Sequence, residues 1–543
     1  MDVILEAIQF NHDPTSATTG AFNVRRNERK SISVPEWIRG TSKMPQDSPA
    51  AYALDKIKQI DFNIQARFRS SDSSRTTVSI KALLEEYVPG NDSDISSGRH
   101  SSSGPTVLGE TNETEVVLSA SSSGFETFTL NKRRIGESGV GVRDISWRWQ
   151  YRTRSNDWKD FELTHHRIYT VVTTPKLPWK LDSSMASDTQ VPWTDVLDYA
   201  CRWAATTTTV DEAAAEVTRK VTALGHNGLL HYDDPNSGAT NFTHERPFWF
   251  DCSDFLRLLA GLKNRHGRKV NCDDCAVIVA SFANILGCDL NEGKIGSFDP
   301  KAHLRIGLAG VFAGKFSHHT TAWKGQCAEN DKLFDACLQL NFANGSDVDR
   351  RWFVPTNILF GQLDQHKYRF HLATVPKKCV PHRRPRRARI GHPANRRGSR
   401  LHFLNLSKTN PFMSKVVQKN QLLDWRLTDF RLIETDAALY FLQSFWMHKI
   451  NKDASLGIDA YECDSPERAL KLMKIILSTF QLTEISENPT DIGDVGFANS
   501  ASYAIVFVRG RFVFRFRNTG TRPMACDGLA SFVDDLVIRF SLK

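Results

Sequence analysis

The stretch from Asn271 to Gly287 constrains this chain more than any other. It reads Asn-Cys-Asp-Asp-Cys-Ala-Val-Ile-Val-Ala-Ser-Phe-Ala-Asn-Ile-Leu-Gly, and Ala276, Val277, Val279, Ala280, Phe282, Ala283, Ile285 and Leu286 leave almost no polar face. A helix that is apolar all round has to be buried. Asn271 suits the N-cap, because its side chain accepts from the exposed N–H groups of the first turn. Gly287 suits the stop, where a left-handed residue ends the helix. Cys272 then falls in the first turn of a buried helix, where unpaired N–H groups and the macrodipole favour a thiolate. A cysteine nucleophile would be placed there.

A chain of 543 residues has room for about three domains, and 40% hydrophobic content supplies a core for each. No run of about 18 apolar residues occurs, so no membrane span is expected. Met1-Asp-Val-Ile-Leu-Glu-Ala lacks a basic n-region and a long apolar core, so no secretory signal is expected. Ten cysteines are too few and too scattered for a disulfide scaffold. Those in apolar stretches, such as Cys201 and Cys288, are expected to be buried free thiols, and a reducing cytoplasm fits best.

The net charge of +9 suggests nucleic acid until it is located. Lys377 to Arg400 holds ten Lys and Arg and no acid, and without it 60 basic residues face 61 acidic ones. That segment has prolines and glycines and no interleaved aromatics. It suits weak, salt-dependent contact with a polyanion through phosphates alone. More plainly, it is a solvated linker or loop, and residues 376–400 are assigned so.

Residues 1–180 are β-rich. Val116 to Ala120, Phe125 to Leu130, Ile145 to Tyr151 and Arg167 to Val172 are short alternating or β-branched runs, spaced as in a β-sandwich. Phe125, Phe128, Leu130, Trp147 and Trp149 are expected in its core. Asp92 to Gly104 is Ser- and Gly-rich and is expected to be a mobile loop. Pro175 and Pro178 bracket the exit, with Trp179 expected to pack at a domain boundary.

Residues 181–375 open with helices. Trp193 to Ala205 has helical spacing, and Asp211 is expected to cap a helix from Glu212 to Leu224, stopped by Gly225. An aromatic cluster, Arg246-Pro-Phe-Trp-Phe-Asp-Cys-Ser-Asp-Phe, lies just upstream of the organising helix. Downstream, Phe316 to Lys324 and Leu333 to Leu340 are predicted to form a β-hairpin carrying His318, His319 and Asp335.

Cysteine at the start of a buried helix, histidine in a later strand and aspartate in the next resembles the core of the transglutaminase-like cysteine peptidase superfamily. The order Cys…His…Asp, the short hairpin, Ala276 four residues after Cys272, and the strand Leu333-Phe-Asp-Ala-Cys-Leu all carry the resemblance, over about residues 190–345. The sequence departs from the family in having Val270 and Asn271 before the cysteine, where a glycine often stands two residues ahead of it. The resemblance implies a papain-type core using Cys272 as nucleophile, His319 as base and Asp335 as orienting acid. A thiolate attacks an acyl carbon and the imidazole moves the proton. The carboxylate fixes the tautomer, and the N–H at the helix start donates to the oxyanion. Trp249 is the candidate second oxyanion donor. A protease, deamidase, amidase or crosslinking transferase can use the same three groups, and a protein or peptide substrate is expected.

Each member has a rival. Cys272 and Cys275 form a CxxC pair that, with His318, His319, Cys327 or Cys337, has zinc-ligand chemistry, but no second close-spaced pair accompanies it. Against a thioredoxin-like pair, the two acids between the cysteines oppose thiolate formation. Cys275 is the alternative nucleophile. In an alternating strand His318 and His319 face opposite ways, so one meets the cysteine; His319 is preferred and His318 is the alternative base. Asp335, in an apolar strand, needs a partner, and a histidine is available. No metal or cofactor is expected.

Residues 401–543 read as a small α+β domain. A strand at Leu456 to Tyr461 precedes a helix opened by Ser465-Pro466. A hairpin of Tyr503 to Val508 and Arg511 to Arg517 turns near Gly510, and a last helix runs from about Asp527 to Phe540. Arg511, Arg515 and Arg517 form a basic stripe expected on a solvated face. The whole is a multidomain α+β protein: β-sandwich, transglutaminase-like core, basic linker and C-terminal module. From another class, the alternative is a catalytically silent core serving as a binding or scaffold protein.

Overall fold

Alternation in the first 180 residues marks strands, and two of them, Gly141–Arg152 and Lys159–Val171, run longer than the apolar runs that mark them. The structure, a computed structural model, describes residues 2–86, 108–179, 190–300, 304–306, 315–341, 352–375, 380–383, 389–390 and 421–541. Within these, 14, 57–58, 73, 120–122, 132–138, 154–156, 234–237, 246–247, 362–366, 434, 436, 481–484 and 488–491 are not described. The segment Asp92 to Gly104 lies outside the described residues, as do all but 380–383 and 389–390 of the basic segment. The fold is mixed α+β with several sheets. No described helix is long and apolar enough to cross a membrane.

The chain divides into two compact units, residues 1–217 with 281–289 and residues 218–280 with 290–543. In the first, one sheet runs in the order Trp37–Ile38, Val3–Gln9, Asn63–Ser70, Phe125–Thr129, and a second in the order Pro49–Ala53, Lys159–Val171, Gly141–Arg152, Thr76–Glu86, Thr114–Leu118. Ile145, Trp147 and Trp149 share one face of their strand and meet Ile64, Phe68 and Phe128 of the other sheet in one buried cluster. The Trp149 indole donates to Thr164 at 3.1 Å, so its polar atom is satisfied. Helix α1 (Thr194–Trp203) follows.

Helix α2 (Val210–His226) begins two residues earlier than the expected start at Glu212. Thr209 caps it instead of Asp211: Thr209 Oγ1 accepts from Glu212 N at 3.3 Å, while the Glu212 carboxylate accepts from Thr209 N at 3.2 Å. The sequence Thr-Val-Asp-Glu is a capping box. Gly225 stays helical, and Gly228, at φ +68°, takes the left-handed position.

In the second unit, α3 (Cys252–Leu259) is capped by Asp251, and α4 (Cys272–Asn284) is the organising helix, crossing the unit boundary after Ala280. A five-stranded sheet runs Ile358–Leu359, Lys332–Phe334, His319–Lys324, Leu290–Ile295, Pro381–Arg383. The second hairpin arm is shorter than expected. Pairing ends at Ala322 opposite Phe334, and Leu338–Asn341 joins another sheet, between Arg305–Ile306 and Trp352–Phe353. The cause is Asp335, whose Oδ1 accepts from Cys337 N at 2.8 Å and Leu338 N at 3.2 Å, a side-chain turn that competes with strand pairing. Helix α5 (Tyr368–Leu372) follows.

The C-terminal sheet has eight strands, in the order Gln421–Leu422, Trp425–Ile433, Tyr440–His448, Ser455–Glu462, Phe512–Asn518, Ala504–Arg509, Val495–Asn499, Ile485–Glu487. Helix α6 (Pro466–Leu477) is capped by Ser465, and α7 (Asp527–Ser541) closes the chain. Alternate residues enter different clusters. Phe507, Phe514 and Phe516 pack with Leu529, Val533 and Val537 of α7, while Val506, Val508 and Val513 pack with Leu472, Met473 and Ile476 of α6. Both faces are therefore covered. Arg511 remains outside, but Arg515 and Arg517 are buried rather than solvated, because Asp459 on the adjacent strand supplies their countercharge.

Candidate active site

Asn271 and Asp274 cap α4 reciprocally. Asn271 Oδ1 accepts from Asp274 N at 3.0 Å, and Asp274 Oδ2 accepts from Asn271 N at 3.2 Å. Asp274 also accepts from the backbone N–H groups of Asn241 at 2.8 Å, Phe242 at 3.0 Å and Thr243 at 2.8 Å. Burial pushes its carboxyl up to about 7 against the pull of these bonds. Backbone N–H groups only donate, so the four of them favour the ionised form and partly offset the burial. Asp274 thus ties residues 241–243 to the turn that carries Cys272.

That segment is held from the other side by the C-terminal sheet. Arg517 donates to Asn241 Oδ1 at 2.9 Å, and Asn241 Nδ2 donates to Asp233 at 2.8 Å. Arg515 donates to Asp459 at 2.8 Å and to Thr240 at 3.4 Å. Since Arg517 is fully buried, its charge must be matched locally, and Asp459 and Asp233 do this. An arginine stripe on a strand gave no hint that it reaches the segment beside the cysteine.

The histidine of the hairpin meets its carboxylate. His319 and Asp335 are both buried, with Nε2 2.9 Å from Oδ2. The same Oδ2 accepts from the Tyr368 hydroxyl at 2.6 Å. With Cys337 and Leu338 N–H on Oδ1, Asp335 receives four donors. A carboxylate so placed is an acceptor only, which puts the His319 proton on Nε2 and leaves Nδ1 able to accept. Tyr368 was missed in sequence because a lone tyrosine in α5, 33 residues after Asp335, has no spacing signature.

His318 is also in this neighbourhood. It precedes the strand His319–Lys324, so strand alternation does not turn it away. Its Nε2 lies 3.3 Å from Asp273 Oδ2, and ligand atoms of Cys272, Asp273 and His318 all fall within 4.8 Å of one another. Cys275 instead shares a hydrogen bond with Cys337; that bond first, and then burial, push the Cys337 thiol well up, with Asp335 and Cys272 adding to the effect. The nine described cysteines are all buried. Trp249 is buried on Phe248–Phe250, which pairs with Thr243–Glu245 and so joins the segment that Asp274 holds.

Elsewhere in the second unit, Asp251, Asp254 and His266 form another buried group. His266 Nε2 lies 2.8 Å from Asp251 Oδ2, and Arg431 donates to the same oxygen at 3.0 Å.

No family profile matches this chain, and no curated protein matches it in sequence. In structure the chain is similar to red sea bream transglutaminase over 88% of its own length and 76% of that chain, at 10% identity and a TM-score of 0.32. A superposition so loose assigns no side chain a role.

Proposed function

We propose that the chain is a thiol hydrolase of the transglutaminase-like type, acting on a peptide or amide bond through Cys272, His319 and Asp335. The observation that carries this is the His319–Asp335 bond. With its proton held on Nε2 by Asp335, His319 would take the thiol proton of Cys272 on Nδ1. The thiolate attacks the acyl carbon, the amine leaves with the proton held by His319, and water or a second amine resolves the acyl-enzyme. The N–H groups at the start of α4 would stabilise the oxyanion, with Trp249 the candidate second donor. On this proposal residues 1–180 are a β-sandwich, 181–375 the catalytic core, 376–400 a basic linker and 401–543 the C-terminal module. The protein then works in the cytoplasm on a protein or peptide.

The complete burial of Cys272 and His319 favours a second reading, a silent core serving as a scaffold. A thiol-directed activity probe separates the two. Labelling that disappears in Cys272→Ala and persists in Cys275→Ala supports the enzyme. Absence of labelling in the metal-free wild type supports the scaffold.

A further inference from the structure

Asp273 and His318 take no part in that mechanism, yet they stand beside its nucleophile. Both are buried, and each is oriented by a second hydrogen bond. Thr320 Oγ1 donates to Asp273 Oδ1 at 2.5 Å. On the far side of His318, Nδ1 lies 3.1 Å from Ser317 Oγ, and that hydroxyl donates to the Phe480 carbonyl at 2.7 Å.

These contacts settle the imidazole's polarity. A carbonyl only accepts, so the single Ser317 proton goes to Phe480, and Ser317 accepts at Nδ1. Nδ1 therefore carries hydrogen. In neutral His318 the Nε2 lone pair then faces the Asp273 carboxylate 3.3 Å away, acceptor against acceptor. A proton on Nε2 or a bound cation between them resolves the conflict, and the third atom of the group, which a cation would also engage, is the Cys272 sulfur.

We propose that Cys272, Asp273 and His318 form a binding site for a thiophilic divalent cation, with zinc as its representative. Zinc takes sulfur at about 2.3 Å and nitrogen or oxygen at about 2.0–2.2 Å in tetrahedral array. Neighbouring nitrogen and oxygen ligands are then roughly 3.4 Å apart, close to the His318–Asp273 separation. Thr320 and Ser317 act as the outer partners that aim such ligands. As the metal–sulfur bond forms, the thiol proton leaves to solvent and no oxidation state changes. The group supplies three of zinc's four positions. The Asp251–Asp254–His266 group differs, because the Arg431 guanidinium already lies among its carboxylates.

Only the consequence of occupancy rests on the proposed function: zinc on Cys272 would silence the thiol reversibly. The test is zinc titration of the full-length, chelator-treated protein against a chromophoric chelator, with alkylation of Cys272 followed in parallel. One equivalent should bind to wild type and protect Cys272, and EDTA should restore alkylation. His318→Gln, Asp273→Asn and Cys272→Ala should each weaken binding at least 100-fold. Thr320→Val should weaken it about 10- to 100-fold. His319→Ala should leave binding intact while slowing alkylation of the metal-free protein. Circular dichroism of each variant identifies any that fail to fold, and Thr320→Val, which removes no ligand, still tests the site if a ligand variant does. Unchanged affinity in folded His318→Gln and Asp273→Asn would overturn the site. Binding that follows these variants in a protein whose metal-free thiol never reacts would keep the site and remove the enzyme.

Discussion

Among the described residues of the second unit, two of the buried aspartate–histidine pairs are of nearly equal length, His319–Asp335 at 2.9 Å and His266–Asp251 at 2.8 Å. Their surroundings differ. Asp335 takes its other donors from Tyr368 and two backbone N–H groups, none of them charged, and Asp335 and Cys272 both act on the Cys337 thiol. Asp251 takes an arginine, and the His266 ring centroid is 5.2 Å from that of Phe242 and 5.7 Å from that of Phe445. A neutral donor set leaves the histidine free to act as a base, whereas a guanidinium on the same carboxylate oxygen competes for its charge. A buried Asp–His bond does not by itself mark a reactive site; its third partner decides.

The largest effect expected is from Cys272→Ala, which should lower turnover and probe labelling by roughly 10⁴-fold or more, measured against a folded control. Next is Asp335→Asn. Its amide can donate to His319 Nε2 and so favour the wrong tautomer, and kcat should fall by roughly 10³- to 10⁴-fold with the melting curve little changed. At the other pair, Arg431→Met should leave the chemistry of folded molecules intact but destabilise the unit by about 3–5 kcal/mol, read by denaturant titration, because it strands buried carboxylates. Loss of turnover without loss of stability in that variant would erase the distinction between the two pairs. Tyr368→Phe should cost about 10- to 100-fold in kcat, as expected for one hydrogen bond to a charged acceptor.

The smallest expected effect is a pH dependence. Burial, and less strongly the Arg517 charge, lower the His266 pKa against the opposing pull of Asp251 and Asp254. The unfolded chain therefore binds a proton at about pH 6.5 that the folded one refuses. Stability contributed by neutral His266 is full above that pH and lost as the pH falls toward the lowered folded value, by at most about 1.4 kcal/mol per unit. His266→Asn should flatten this acid limb in urea titrations; an unchanged slope would count against it.

The organising helix was legible because burial and capping are local properties: Asn271 caps it and its apolar residues are buried. The C-terminal hairpin and its flanking helices were legible for the same reason. Asp335 was expected in a continuous strand, but its side chain captures two N–H groups and ends the strand there. His318 was assigned to strand alternation that begins one residue later. Arg515 and Arg517 looked solvated because the countercharge, Asp459, is more than fifty residues away in sequence. Tyr368 depends on the same kind of distant pairing. Long-range polar contacts have no period, and a single sequence hides them.

The most direct test of the central claim is the rate at which iodoacetamide alkylates Cys272 in the metal-free protein, read by mass spectrometry at neutral pH. His319→Ala should slow it at least 100-fold, while His318→Ala should leave it within a few-fold of wild type. If His318→Ala abolishes the reactivity and His319→Ala spares it, the base is His318 and the pairing of His319 with Asp335 is structural.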